Sequence, residues 1–434
     1  MRIDPGVARS WVGLGVIFRE LGEGRRAIAC FRQAIELQPD FDAAWSQMGE
    51  SLRRQGAHRA SAACHRRALA LHPDQPAFLL REALNLTSQD RDEDALPIIE
   101  RVVGENPTLI EAAWARGVCR RRLGDLAGGW DDYEVRLQRR RQGRLGGGEL
   151  QTPRWRGEPL QGRTLLVMAE RPVSETIWAS RYLGAAKAQG ARLMVSCSGD
   201  LVNFFAGMDG VDMAFDENGT APDHDVHIPI CSLPGLFTPD ADSIPAAAYL
   251  QPDPTRRHSF ARWRGLGQGH IRVGVACPDR GRADGFPAAL LLDGLNLPGV
   301  QLYMLQRTDR FIRDRNGGIS PPGRPVIGLG AQLDDLADMA AFIADLDLVI
   351  GVDCPALHLA GALGRPVWAL LGAHAHWLWG RHSALSPWYP SMRLHRALRS
   401  TGWKDPIDQV VTELMRLADQ RAGTEERIGV PHVR

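Results

Sequence analysis

The stretch LDLVIGVDCPALHLAGALGRPVWALL, residues 346–371, decides the fold of the second half of this chain. Two apolar runs, DLVIGV at 347–352 and PVWALL at 366–371, flank a segment in which Asp353 and Pro355 stand where a helix would begin. Apolar runs of this length predict buried parallel strands. Pro is also favoured in the first turn of a helix. The stretch therefore predicts a strand, a helix and a second strand.

Four further apolar runs share this character. They are RTLLVMAE (163–170), ARLMVSCS (191–198), HIRVGVAC (270–277) and VQLYMLQ (300–306). Helix candidates such as SETIWASRYLGAAKAQG and DDLADMAAFIAD lie between the runs, and the proline-rich interval 233–254 interrupts the alternation. Alternating strands and helices predict doubly wound sheets with right-handed crossovers. We therefore expect two Rossmann-like halves, residues 161–255 and 256–420, with ligands at the carboxyl ends of the strands.

The first third of the chain repeats with a period of about 34 residues, which is the length of a tetratricopeptide repeat. The first unit has eight positions at the expected spacing: Trp11, Leu14, Gly15, Phe18, Ala27, Phe31, Ala34 and Pro39. The pattern continues at reduced strength without an insertion, and predicts about four repeats over residues 1–142. Stacked repeats form a concave face that receives a peptide or a protein. A rigid spacer or a dimer contact is the alternative.

Composition limits the possible functions. Lys and Arg total 52 against 51 Asp and Glu, so no global field draws the chain to nucleic acid. No apolar run reaches the roughly 18 residues that span a bilayer, and the first residues contain no signal-peptide core. The seven cysteines are scattered, with no CxxC pair. We expect a cytoplasmic protein with reduced thiols, a flexible linker at 143–160 and a flexible tail at 421–434.

Motifs spread over the chain resemble one family. These motifs are LDLVIGVD, HLAGALGRPVWALL, SPWYPSMRLHR at 386–396, WRGEPLQGRTLLVMAE and DVHIPICSLPGLFT. Together they resemble bacterial tetratricopeptide-repeat proteins that are related to the lipopolysaccharide heptosyltransferases. That group, glycosyltransferase family 9, has the GT-B fold. The resemblance covers about residues 8–415. It implies an N-terminal tetratricopeptide-repeat α-solenoid followed by a GT-B fold of two Rossmann-like halves, α plus α/β in class.

The resemblance implies a nucleotide sugar, UDP-, GDP- or ADP-linked, bound mainly by the C-terminal half. Asp353, His358, Gly361 and Gly364 match the family's donor-side turn and helix, which usually reads Asp-Thr, three residues, then His-Leu-Ala-Gly. The start of a helix attracts a diphosphate, and His358 is a candidate donor to a phosphate oxygen as the leaving group departs. The alternative is that Asp353 caps the helix and His358 is a core histidine.

Three loops depart from the family pattern. Cys354 stands in place of a threonine, so a hydroxyl that could bond a phosphate is missing. The family's Glu-Gln-Gly, a residue, Gly-Asp turn reads ERPVSE here, with Glu175 in place of the aspartate that is the candidate general base. The loop CPDRGRADGFP offers Arg280 and Arg282 as candidate phosphate ligands, with a solvated loop as the alternative.

The segment GAHAHWLWGRHS, where relatives carry Asp-Trp-Arg-Trp, raises the question of a metal. The segment contains His374, His376 and His382, and histidine is a common metal ligand, but the sequence near them offers no carboxylate partner. GT-B enzymes generally need no bound metal, so we expect no metal and no cofactor.

Two functions remain open at this point. The first is transfer of a sugar from a nucleotide-sugar donor to an acceptor docked by the repeats. The second is a catalytically inactive scaffold that binds protein partners through the repeats. Neither requires nucleic acid or an integral membrane segment.

Overall fold

The structure, a computed structural model, describes residues 4, 6–140, 144–145, 148–265, 269–277, 286–306, 326–329, 332–372, 375–381, 383–397 and 402–428. The chain divides into two compact units, Met1–Gln142 and Gly143–Arg434. Across these described ranges, every helix is too short or too polar to cross a bilayer.

The first unit is a row of helix pairs. Its helices are α1 (Ala8–Glu20), α2 (Gly24–Leu37), α3 (Asp42–Arg54), α4 (His58–Leu71), α5 (Pro76–Thr87), α6 (Asp92–Glu105), α7 (Ile110–Arg122), α8 (Leu126–Tyr133) and α9 (Val135–Arg140). The first helices of the four pairs begin at residues 8, 42, 76 and 110, and the second helices at 24, 58, 92 and 126. The predicted repeat register is therefore confirmed.

Close contact within each pair depends on a small residue in its first helix. A Cβ added at Gly15 would lie 2.5 Å from the ring of Phe31, which is fully buried. The same position in the second repeat is Gly49, where a Cβ would meet the ring of His65 at 2.6 Å. Glycine thus lets the second helix press a ring against the backbone of the first.

The second unit contains two parallel sheets, preceded by the short antiparallel pair β1 (Arg144–Leu145) and β2 (Gly148–Glu149). The first sheet consists of β3 (Thr164–Met168), β4 (Arg192–Cys197), β5 (Met213–Asp216) and β6 (Val226–Pro229), in the order β5-β4-β3-β6. Its helices are α10 (Val173–Ala179), α11 (Leu183–Lys187), α12 (Val202–Ala206) and α13 (Leu233–Phe237).

The second sheet has six parallel strands in the order β12-β11-β10-β7-β8-β9. They are β7 (Ile271–Ala276), β8 (Val300–Met304), β9 (Ile327–Gly328), β10 (Leu348–Val352), β11 (Val367–Leu371) and β12 (Met392–Arg396). The accompanying helices are α14 (Pro254–Ser259), α15 (Ala261–Gly265), α16 (Ala288–Leu295), α17 (Leu336–Ile343), α18 (Pro355–Ala362) and α19 (Lys404–Ile428). Read from its first strand, this is the strand order of a Rossmann sheet.

The six strands predicted from apolar runs are all present, while β1, β2, β5, β6, β9 and β12 were not predicted. Part of the predicted linker belongs to the folded second unit. Trp155 is 1% exposed, and its backbone N–H donates to the carbonyl of His227 in β6 at 2.9 Å. Leu160 is fully buried as well. The apolar side chains of this segment thus help to cover the first sheet.

Candidate functional site

The strand order of the second sheet brings β7 and β10 together at the point where the order reverses. A Cβ added at Gly351 would lie only 2.0 Å from the carbonyl oxygen of Ala276, so glycine is required for this close strand pairing. Asp353 follows β10 directly, at the carboxyl edge of the sheet. Ligands of doubly wound sheets collect at this edge.

Helix α18 begins at this point without a side-chain cap. Its N-cap residue is Cys354, in extended backbone conformation, and its thiol, a weak acceptor beside the N–H groups of Ala356 and Leu357, makes no regular cap bond. Burial raises the pKa of the Cys354 thiol to about 12. The group is therefore a neutral thiol at neutral pH, with neither the charge of a thiolate nor the oxygen of a threonine.

Asp353 does not cap α18, because its carboxylate is held by two side chains instead. Oδ1 lies 3.2 Å from Nε2 of His358, and Oδ2 accepts a hydrogen bond of 2.8 Å from the indole of Trp379. Burial raises the pKa of the carboxyl, but the bonds from His358 and Trp379 outweigh burial and hold the pKa below its usual value. The side chain is 36% exposed. Asp353 thus presents a fixed, ionised carboxylate.

His358 is 1% exposed, and both of its ring nitrogens are engaged. Nδ1 lies 2.9 Å from the hydroxyl of Tyr389, while Nε2 faces Asp353. The ring also lies 5.1 Å from that of Trp379. In this arrangement His358 holds neighbouring side chains, and its role as a donor to phosphate stays a prediction.

The two glycines of the motif have structural roles. A Cβ at Gly361 would meet the ring of Tyr389 at 2.5 Å, so glycine admits the tyrosine against α18. Gly364 lies just beyond the helix and has φ +69°. Its N–H donates to the carbonyl of Gly361, and the N–H of Arg365 donates to the carbonyl of Ala360. This is a Schellman ending, in which glycine is favoured.

Glu175 lies in the first turn of α10, at the carboxyl edge of the first sheet. Its Oε1 is 3.4 Å from Nε2 of His376, and the two side chains are 16% and 33% exposed. His376 also contributes to the lowered pKa of Asp353. The structure therefore brings Glu175, His376 and Asp353 together where the two halves of the second unit meet.

Four residues considered from sequence lie outside the described residues. They are Arg280, Arg282, His374 and His382. Within the part of the chain that is described, no three His, Cys, Asp or Glu side chains are grouped as metal ligands.

Sequence reasoning missed Tyr389, Trp379 and Arg181. Arg181, 6% exposed, donates from Nη1 to the carbonyl of Trp388 at 2.7 Å, and its guanidinium carbon lies 4.6 Å from the centre of the Tyr389 ring. The motif SPWYP was the available signal, since a tyrosine between two prolines near the site is an unusual feature. Nothing in the motif indicates which residues its tyrosine contacts.

Aromatic packing completes the contact between the two halves. The ring of Trp178, fully buried in α10, lies edge-on to Trp377 at 5.7 Å and to Trp388 at 5.0 Å. Such edge-to-face pairs add stability beyond the area that they bury. Together with Arg181, they hold α10 and the turn after it against the loop between β11 and β12.

Comparison with known proteins agrees with this architecture. The tetratricopeptide repeat family model matches residues 8–41, and the model of glycosyltransferase family 9 (heptosyltransferase) matches residues 327–403. The chain thus joins tetratricopeptide repeats to a glycosyltransferase family 9-like domain. Protein FlbA of Caulobacter vibrioides is 28% identical, over 96% of this chain and 68% of its own length.

The repeat unit and the glycosyltransferase-like unit are similar to different solved structures. A glycosyltransferase family 9 protein from Veillonella parvula is 11% identical and covers 61% of this chain and 99% of its own, with a TM-score of 0.49. The repeat protein MamA is 18% identical and covers 32% of this chain and 81% of its own, with a TM-score of 0.28.

Proposed function

We propose that the second unit binds a nucleotide sugar in the cleft between its halves and transfers the sugar to an acceptor. The observation that carries the proposal is the Asp353 carboxylate, ionised, fixed by two donors and 36% exposed at the carboxyl edge of the second sheet. An ionised carboxylate accepts hydrogen bonds from hydroxyl groups. We assign it to hydroxyls of the donor, and the start of α18 to the diphosphate.

Transfer needs a base on the acceptor side. Glu175 lies on the other half and reaches His376 across the cleft, so a carboxylate and an imidazole face the space where an acceptor hydroxyl would approach. Either group is suited to accept a proton from that hydroxyl. The new glycosidic bond then forms at the sugar carbon while the nucleoside diphosphate leaves with the bonding electrons. Arg280 and Arg282 stay candidate ligands of that leaving group.

We further propose that the repeats dock a peptide or protein on their concave face, as acceptor or partner. A cytoplasmic location forms part of the same proposal. All seven cysteines are free thiols and six of them are buried, which is consistent with a reducing compartment.

A second candidate is the inactive scaffold. It is favoured by the engagement of both ring nitrogens of His358, by the pairing of Glu175 with His376, and by the missing hydroxyl at Cys354. In this case the side chains that would contact a donor are hydrogen-bonded to one another instead, and only the repeats bind a partner.

Calorimetric titration with UDP, GDP, ADP and CMP, then with their sugar conjugates, separates the two candidates. The proposal expects one nucleotide series to bind, with the sugar conjugate weakened in Asp353→Asn. The variant Asp209→Asn, at an exposed position before β5, is the matched control and should bind as the wild type does. Absence of binding by every nucleotide would favour the scaffold.

A further inference from the structure

We propose that Tyr389 is a positioning residue for the donor site: its hydroxyl fixes the proton on the His358 ring, and His358 in turn orients the Asp353 carboxylate. The inference rests on the proposed function, because it concerns how the same cleft holds its donor. The three side chains form one chain of contacts, with 2.9 Å between Tyr389 and His358 and 3.2 Å between His358 and Asp353.

For a neutral His358 ring, the hydrogen-bond partners fix the position of each proton. Because Asp353 is ionised, Nε2 of His358 must be the donor in the bond to Oδ1. In a neutral ring, Nδ1 is then the acceptor, and the hydroxyl of Tyr389 donates to it. Burial raises the pKa of Tyr389 well above its usual value, so the hydroxyl keeps its proton. The chain of hydrogen bonds therefore runs in one direction, from Tyr389 to Asp353.

Tyr389 is held firmly enough to act in this way. Ser386 Oγ accepts from the backbone N–H groups of Trp388 at 3.2 Å and Tyr389 at 3.3 Å, which fixes the turn in SPWYP. The Tyr389 ring is 1% exposed and packs against Gly361, where a Cβ would be 2.5 Å away. Both the serine and the glycine of these motifs thus serve to place one hydroxyl.

Arg181 supports Tyr389 from the other half of the second unit. Its Nη1 donates to the carbonyls of Trp388 at 2.7 Å and Pro245 at 3.3 Å, and its guanidinium carbon lies 4.6 Å from the Tyr389 ring centre. The orientation of Asp353 therefore depends on residues of both halves.

The proposal makes a specific distinction between ligands. Trp379 and His358 each occupy one oxygen of Asp353, so the remaining lone pairs have fixed directions. A fixed carboxylate favours sugar hydroxyls and repels phosphate. Loss of the Tyr389 hydroxyl is therefore expected to weaken the sugar conjugate more than the bare nucleoside diphosphate. General destabilisation of the domain would weaken both equally.

The first test is NMR of the full chain labelled with ¹⁵N-histidine, with the His358 signals assigned by their loss in His358→Gln. We expect a single Nε2–H tautomer with a slowly exchanging N–H in the wild type, and faster exchange with mixed tautomers in Tyr389→Phe. Gly361→Ala keeps the hydroxyl but displaces the ring, and should give the same change. A wild-type ring protonated at Nδ1 alone, or at both nitrogens, would overturn the inference.

The second test is calorimetry with UDP, GDP, ADP, CMP and their sugar conjugates. One lost hydrogen bond corresponds to roughly five- to tenfold in affinity, and we expect this loss for the conjugate in Tyr389→Phe. Tyr303→Phe is the matched control, since Tyr303 is fully buried and donates one bond of 3.0 Å to the carbonyl of Trp263. It should leave affinity unchanged.

The outcomes separate the inference from the proposed function. If the wild type binds a conjugate and Tyr389→Phe binds it equally well, the positioning role is overturned and the proposed function stands. Equal weakening of conjugate and bare nucleotide would also overturn it. If no nucleotide or conjugate binds the wild type, the proposed function fails and the positioning role fails with it.

Discussion

Each unit of the chain contains a histidine with almost no exposure, and the two have opposite surroundings. His65, in the second repeat, is fully buried, and neither ring nitrogen has a hydrogen-bond partner among the described residues. His358, in α18, is 1% exposed and has a partner for each nitrogen. Burial alone therefore does not distinguish a histidine that fills space from one that organises a site. The partners make that distinction.

His65 has a simple structural origin. It occupies the position of Phe31 in the first repeat, and its ring presses on Gly49 as that of Phe31 presses on Gly15. Burial lowers the pKa of His65 to about 4, with the nearby Glu50 carboxylate opposing the change and Arg81 and Arg53 adding to it. The repeat thus accepts a histidine as a neutral ring, although a hydrocarbon ring fits the same space in its neighbour.

Replacing His358 with Phe gives the largest expected effect. The substitution removes the hydrogen bonds of His358 to the Tyr389 hydroxyl and to Asp353, each at roughly 1–3 kcal/mol, and crowds the Trp379 ring. We expect a loss of roughly 3–5 kcal/mol in the free energy of unfolding of the second unit, measured by hydrogen exchange in α18. His258→Phe, at an exposed position in α14, is the control. An unchanged free energy of unfolding would show that His358, like His65, only fills space.

Glu50→Gln tests the charge beside His65. The carboxylate is 2% exposed and bonds to Arg53 at 2.8 Å and Arg54 at 3.0 Å, with Arg81 at 3.5 Å. Burial raises the pKa of Glu50, but the bonds and charge of these arginines outweigh it and lower the pKa to about 2. We expect a loss of about 3 kcal/mol at neutral pH, seen as faster hydrogen exchange in α3.

This contribution of Glu50 has a defined pH range. Since the folded pKa lies below the ordinary 4.5, the stability is fully present above pH 4.5 and is lost as the pH falls toward 2. Glu23→Gln, whose partner Arg26 is exposed, should cost less than about 1 kcal/mol. Equal losses in the two variants would contradict the role of the buried carboxylate.

His65→Phe should stabilise the first unit, in contrast to the same change at position 358. Below pH 6.5 the unfolded chain binds a proton that the folded ring does not, so the free energy of unfolding falls as the pH drops toward 4. The variant lacks this loss, which amounts to about 2 kcal/mol between pH 7 and pH 5. Hydrogen exchange in α4 at both pH values measures it.

The control for this change is His72→Phe, because the His72 side chain is 62% exposed. Its dependence on pH should follow that of the wild type. A His65→Phe protein that loses as much stability at pH 5 as the wild type would show that another group carries the acid sensitivity.

The sequence was most informative where structure follows from a local pattern. The repeat period and the six buried strands were predicted correctly, because apolar spacing and glycine positions record them directly. Strand β5 was missed since it has four residues and none of them is fully buried. Strand β12 was missed although Met392, Arg393 and Leu394 alternate as in a half-buried strand, because SPWYPSMRLHR was interpreted only as a family motif.

The contacts of the site could not be predicted in the same way. Tyr389 and His358 are 31 residues apart, and their contact depends on how β11 and the loop beyond it return to α18. Arg181 lay in SETIWASRYLGAAKAQG, which predicted one continuous helix. The structure has α10, a 3₁₀ turn at Ser180–Tyr182 and α11, and this turn carries the arginine. Sequence indicated the residue types of the site, and only tertiary structure paired them.

The smallest expected effect concerns the helix that carries His358. Cys354 has φ −160° and ψ 165°, which is extended backbone suited to an N-cap, but its thiol makes no cap bond. A hydroxyl here is a stronger acceptor than a thiol for the N–H groups of Ala356 and Leu357 in the first turn. We therefore expect Cys354→Thr to stabilise the second unit by about 1 kcal/mol, detected as slower hydrogen exchange at the start of α18.

Cys354→Ala provides the baseline for this substitution, since it removes the thiol without adding a cap, and Cys354→Ser should reproduce the gain of threonine. If the start of α18 also receives a diphosphate, the added hydroxyl should raise nucleotide affinity severalfold along with stability. A gain in stability without any nucleotide binding would instead leave α18 as a packing element. His358 would then serve to hold the protein together, with its two partners giving specificity to the fold rather than to a ligand.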